Sequence, residues 1–301
     1  MKFRSLKAAG KMIALIAVIS LVFGSCKKSD VSNVTASNES KAATLSDSST
    51  VAENAYYDVL NNAIVGYSDN SSVMGASLQR GKTTVNSTET NGSGGAGHIS
   101  CAGYTISDST PGHYPKTLTL DFGAGCTSID GIIRTGKLVY NFSGPLFTPG
   151  TTVTVSFNQY TVNGYGIQGT YAITNNSTQS GISFATLVTN GILTCPDATN
   201  FHYSHNKTYT QTAGASTPFD ISDDVYSITG NSAFSSSDGS SLVLNVTTPL
   251  IRNFTCLNIT QGVVSFVFNQ GISGTIDFGD GTCDNLATLK VGTISRTVTL
   301  R

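Results

Sequence analysis

An alternation of apolar and polar side chains begins near residue 98, runs to the end of the chain, and limits the fold more than any other feature. Leu118, Leu120 and Phe122 alternate with polar neighbours, as do Val153, Val155 and Phe157. Similar runs recur at 138–142, 170–174, 182–189, 225–229, 242–246, 263–268, 287–291 and 293–300. Successive side chains on a strand point to opposite faces, so period two marks strands with one buried face. The three glutamates (Glu39, Glu53, Glu89) all precede residue 90, tryptophan is absent, and the remainder is rich in Thr, Val, Ile, Tyr and Phe. That mixture is poor helix material and good strand material. Asn163-Gly164, Asn190-Gly191, Asp238-Gly239 and Asp280-Gly281 read as turns between the runs. Short connections favour antiparallel neighbours. The expected body, 98–301, is all-β: an antiparallel meander forming a curved sheet, a sandwich or an open barrel.

The N-terminus carries a different message. Lys2, Arg4, Lys7 and Lys11 precede an apolar run over 12–22, and Phe23-Gly24-Ser25-Cys26 follows. The run is too short to span a bilayer, and its cysteine follows small residues, as in a lipoprotein signal peptide over 1–25. Cys26 is the expected lipidation site and first residue of the mature chain, which places the protein on the membrane through its lipid. Removing 1–25 removes four basic and no acidic residues, leaving 13 basic against 18 acidic, a net charge of −5. That balance, with scattered basic residues, offers no footprint for nucleic acid.

Residues 26–50 are rich in Ser, Ala, Asn, Thr and Lys and read as a flexible tether. Thr50-x-x-Glu53 resembles a capping box, and Val51, Ala55, Val59, Leu60 and Ile64 follow at helical spacing. One short helix is predicted over 51–66, with a Gly/Ser-rich loop over 71–97.

The cysteines show an internal echo. Thr117-Leu-Thr-Leu-Asp-Phe-Gly-Ala-Gly-Cys126 is similar to Gly274-Thr-Ile-Asp-Phe-Gly-Asp-Gly-Thr-Cys283. Each ends on a cysteine whose upstream counterpart, Cys101 or Cys256, stands 25 or 27 positions earlier. Export permits oxidation, so the repeat predicts Cys101–Cys126 and Cys256–Cys283 disulfides. Cys195 is left over, read first as a buried inert thiol and second as a reactive or intermolecular one.

Ser25-Cys26-Lys27-Lys28, the Asp121-Phe-Gly…Cys126 element and Asp277-Phe-Gly-Asp-Gly-Thr-Cys-Asp-Asn285 together resemble a loose family of uncharacterised Bacteroidota lipoproteins. The resemblance implies an envelope location and a β-rich body. It carries over no activity.

Motifs for chemistry are weak. Gly164-x-Gly166-x-x-Gly169 matches a dinucleotide fingerprint as a string, but Thr170-Tyr-Ala-Ile173 continues as a strand and not a helix, so a hairpin is expected and no cofactor. Arg80-Gly-Lys-Thr83 has neither the glycine spacing nor the preceding strand of a phosphate loop. Asp277, Asp280 and Asp284 are weak calcium candidates, outweighed by a structural turn, because Ala124 replaces Asp280 in the first copy. His202 and His205, three apart on a strand, face opposite sides and are expected to meet solvent. No Gly-x-Ser-x-Gly occurs, and Asp220, Asp223 and Asp224 are a poor glycosidase pair.

The resulting expectation is a lipid-anchored envelope protein with a structural, adhesive or binding role, without catalysis, whose partners are envelope proteins or polysaccharide. The alternatives are a carrier enclosing an apolar ligand beneath the helix, or a polysaccharide-active hydrolase.

Overall fold

A computed structural model describes residues 36–75, 101–217, 221–269 and 271–300. The signal peptide, Cys26 and most of the 71–97 loop lie outside them. Among the described residues one α-helix, α1 (Ala36–Asp69), precedes thirteen strands: β1 (Gly103–Ile106), β2 (Lys116–Thr127), β3 (Ile133–Phe142), β4 (Thr152–Val162), β5 (Tyr165–Asn175), β6 (Ser183–Thr194), β7 (Asn200–Ala213), β8 (Val225–Ser236), β9 (Ser241–Asn253), β10 (Gln261–Phe268), β11 (Ile272–Asp280), β12 (Leu286–Val291) and β13 (Ile294–Thr299). They form a single sheet in sequence order, antiparallel throughout and not closed from β13 back to β1. The all-β meander is therefore a curved open sheet.

The helix lies in the concave face. Its residues are buried almost all the way round, including Ala42, Leu45, Ala52, Tyr56, Val59, Leu60, Ala63 and Tyr67. A helix buried on nearly every side must be enclosed, and here the sheet does the enclosing. Hydrogen bonds join it to the sheet in both directions: the Tyr140 hydroxyl of β3 donates to Val59 O of the helix at 2.9 Å, and the Tyr56 hydroxyl of the helix donates to Gln168 O of β5 at 2.6 Å.

This helix corrects two expectations. Residues 36–50 are helical and largely buried, so they are no tether. Their hydroxyls bond back to carbonyls one turn earlier, as Ser46 Oγ does to Ala42 O at 2.8 Å and Ser49 Oγ to Ser46 O at 2.7 Å. Small side chains satisfied in this way fit close against a sheet. Nor is Thr50 a cap: in mid-helix, its hydroxyl donates to Asp47 O at 2.7 Å.

The sheet curves because its strands are creased. Register shifts occur at Gly136 on β3, at Gly169 on β5, between Val188 and Gly191 on β6, and at Gly230 on β8. A β-bulge bends its strand and increases local twist. Gly169 (φ +120°) and Gly191 meet across β5 and β6, where a Cβ on Gly169 would lie 2.7 Å from Gly191 Cα. Gly230 (φ +122°) presses against the Asn206 carbonyl of β7. Asn190-Gly191 is thus a bulge inside β6 and not a turn. Asn163-Gly164 does join β4 to β5, with φ +49° and +81°, and the dinucleotide-like string is the start of that hairpin.

Candidate functional site

A cavity of about 320 Å³ runs along one stripe of α1. Val51, Asn54, Ala55, Asp58, Asn62 and Val65 form its floor, at the three- and four-residue spacing that shares one helical face. Asp130, Ile132 and Arg134, from the β2–β3 connection and β3, stand on one flank. Arg252 on β9, Leu257 and Asn258 of the β9–β10 connection, and Asn285 stand on the other.

Two buried cations define the walls. Arg134 is fully committed: Nε donates to Asp58 Oδ2 at 2.9 Å, Nη1 to Ser128 Oγ at 2.9 Å and Nη2 to Asp130 Oδ2 at 2.9 Å. Asp58 Oδ2 also accepts from the Tyr160 hydroxyl at 2.6 Å and from Asn62 Nδ2 at 2.9 Å. Burial alone would raise the Asp58 pKa, but the Arg134 charge and these bonds hold it below the ordinary carboxylate value. Asp58 is therefore ionised at neutral pH and is no proton donor. A glycosidase acid needs the opposite shift.

Arg252 is different. It is 4 % exposed, with its guanidinium carbon 3.6 Å from the centre of the Tyr57 ring. Its Nη1 donates to Asn54 Oδ1 at 3.3 Å and its Nη2 to Leu257 O. Among the described residues it pairs with no carboxylate, unlike Arg134 and Lys207, and its Nε has no hydrogen-bond partner.

A third charged cluster lies deeper. Lys207 on β7 pairs with Glu53 of α1, which also accepts from Ser232 Oγ at 2.7 Å. Burial would raise the Glu53 pKa, but Lys207 brings it below its ordinary value. His205 sits beside them at 4 % exposure, with Nε2 2.9 Å from Thr186 Oγ1 and Nδ1 3.1 Å from the Tyr203 hydroxyl. Tyr56 stacks on Tyr203 at 4.8 Å between ring centres, so the space between helix and sheet at this level is filled.

The two predicted disulfides form, with Cα–Cα distances of 5.7 Å for Cys101–Cys126 and 5.8 Å for Cys256–Cys283. Cys256 lines the cavity, so the second bridge fastens one of its walls. Cys195 is buried, but it is disulfide-bonded, which corrects the expectation of a leftover thiol. His202 is exposed and His205 is not; they do face opposite sides of β7, but the expectation that both meet solvent fails. Asp277, Asp280 and Asp284 each accept a backbone N–H two residues on, at 3.0, 3.2 and 2.9 Å, from Gly279, Thr282 and Leu286. Asp121 does the same for Gly123 at 2.9 Å, so the echoed motif shares an aspartate-capped turn. Of the acidic cluster, Asp220 lies outside the described residues. Asp223 accepts from Thr217 Oγ1 at 2.7 Å, while the buried Asp224 accepts from Gln211 Nε2 at 2.6 Å.

Comparison of the chain with protein-family models, with curated proteins and with solved structures finds no match.

Sequence reasoning missed Asp58, Asp130, Arg134 and Arg252. A signal was present for the arginines. Arg134 shares the parity of Leu138, Tyr140 and Phe142, all buried on β3, and Arg252 that of Leu250 on β9.

Proposed function

We propose that this chain is a lipid-anchored binding protein of the cell envelope, without catalysis, in which the cavity beside α1 takes up a small polar ligand. The observation that carries this reading is the cavity itself: its walls are fixed by the Arg134–Asp58–Asp130 network and by the Cys256–Cys283 bridge. Preformed concave sites with a few fixed polar groups are how small-molecule sites are built. A wholly apolar ligand fits less well, because Asn, Asp and Arg side chains make up half of the lining.

Native mass spectrometry of the protein extracted from its membrane is the test. A bound small molecule is expected in the wild type and not in Asn285→Trp, which fills the mouth from an exposed position. Spectra in which both proteins show only the mass of their own acylated chain, with no bound molecule, would refute the reading. The anchor is tested separately by peptide mapping, with an acyl thioether expected at Cys26. A peptide joining Cys26 to Cys195 through sulfur would rule that anchor out.

A further inference from the structure

Arg252 is a buried cation with no ion pair among the described residues; Lys116 is another, its Nζ taken up by the carbonyls of Asp108 and Thr110, but Arg252 faces a cavity. Asp58 and Asp130 bracket Arg134, and Glu53 meets Lys207. A buried charge is costly unless it is paired and hydrogen-bonded. The ring of Tyr57 and two carbonyl-type acceptors, Asn54 Oδ1 and Leu257 O, partly compensate Arg252, but they supply no negative charge. A guanidinium has five N–H donors in a planar fork, and these two bonds leave donors over; the Nε–H, unpartnered among the described residues, is itself buried. Arg252 also lines the cavity.

The rest of the wall describes the other part of a ligand. Asn61, Asn163, Asn258 and Asn285 surround the same space. Each amide has a donor end and an acceptor end, as a hydroxyl group does. Among the described residues several keep one end in reserve: Asn163 uses Oδ1 to accept from Ile133 N at 3.0 Å, Asn258 uses Nδ2 to donate to Asp284 O at 3.2 Å, and Asn61 Oδ1 has no partner. Tyr165 and Phe254 add rings. At about 320 Å³ the space is at the small end of small-molecule sites.

We infer that the cavity binds a sugar acid, with its single carboxylate against Arg252 and its hydroxyls on the asparagine amides. A carboxylate there provides the missing charge, and an arginine–carboxylate contact is a strong, charge-assisted one. This inference rests on the cavity being a ligand site, as proposed above.

The experiment is calorimetric titration of the full-length protein in detergent with D-glucuronate, D-galacturonate and D-glucose. At least one of the two acids is expected to bind saturably and at least tenfold more tightly than glucose. Arg252→Gln should weaken that acid at least tenfold, and Arg252→Lys should keep the preference over glucose. Because Arg252 is buried and its replacement can disturb folding, Asn285→Trp provides a second arm: it should abolish binding with an unchanged melting temperature. Glucose binding as tightly as both acids, or acid binding that survives Arg252→Gln, would leave a ligand site standing and overturn the sugar acid; acid binding that survives Asn285→Trp would lie outside the cavity and overturn it as well. Binding of none of the three sugars would overturn the sugar acid too, while a bound mass in native spectra that Asn285→Trp removes would still support the site.

Discussion

Replacing His205 with glutamine tests the interior of this fold through its pH dependence. Burial pushes the His205 pKa down to about 3 from an ordinary value of 6.5; Lys207 adds to the shift and Glu53 opposes it. The unfolded chain binds a proton on this ring below pH 6.5 that the folded chain refuses until about pH 3. Stability is therefore fully present above 6.5 and is lost as the pH falls towards 3. Between about pH 7.5 and about pH 4.5, linkage to this one ring removes about 2.5 kcal/mol. Glutamine keeps an amide near Thr186 and Tyr203 but does not titrate. Urea unfolding of both proteins across that range is the assay, read as the difference between them. The variant's disadvantage at neutral pH should shrink by about 2.5 kcal/mol on going to the acid end. Glu53 and Asp58, both held below their ordinary values, are common to the two proteins and lose their pairing at lower pH. Parallel stability profiles would show that the folded protein accepts the proton, and the account of a closed interior around β7 would fail.

Asp58→Asn removes the helix carboxylate from Arg134 and should cost about 3–5 kcal/mol in chemical denaturation, the usual result of breaking a buried pair from one side. A change below about 1 kcal/mol would mean that Asp130 alone suffices. Gly230→Ala adds a Cβ against the Asn206 carbonyl at φ +122° and should lower stability by more than about 3 kcal/mol. Gly239→Ala is the control: at φ +85° with open space around it, it should cost only about 1–2 kcal/mol. The double change Cys256→Ser with Cys283→Ser removes a bridge of sequence separation 27 and should cost roughly 3–4 kcal/mol on the loop-entropy relation, read by unfolding without reductant.

Where strands run unbroken, period two reads them well. Leu118, Leu120 and Phe122 are buried on β2 as their alternation predicts. The reading stops short at creases. The runs at 182–189 and 225–229 end where Asn190-Gly191 and Gly230 interrupt the ladder, although β6 and β8 continue to Thr194 and Ser236. A bulge breaks the parity that the eye follows, and the same bulges supply the curvature. The α1 segment before Val51 was hidden for another reason: Ser and Ala look solvated until a sheet encloses them, and no local propensity reports an enclosure built from distant strands. The cavity is less legible still, since Asp58, Arg134 and Arg252 meet only after that sheet has curved.

Inward parity nonetheless carries information about charge. Lys207 and Arg134 stand among buried apolar residues of their own strands, where burying the charge is costly and a carboxylate from another element offsets it. The helix supplies one to each, Glu53 and Asp58. An isolated basic residue on the buried face of a strand is therefore a sequence-level demand for acceptors; Lys116 on β2 meets it with the carbonyls of Asp108 and Thr110, and α1 meets two such demands with carboxylates. Arg252 makes the same demand from β9. Opposite it α1 presents Asn54, an amide that can accept a hydrogen bond but cannot neutralise the charge. A carboxylate built into the chain at that position would have closed the site, as Asp58 closes the Arg134 pair; an amide leaves the charge for something else to answer.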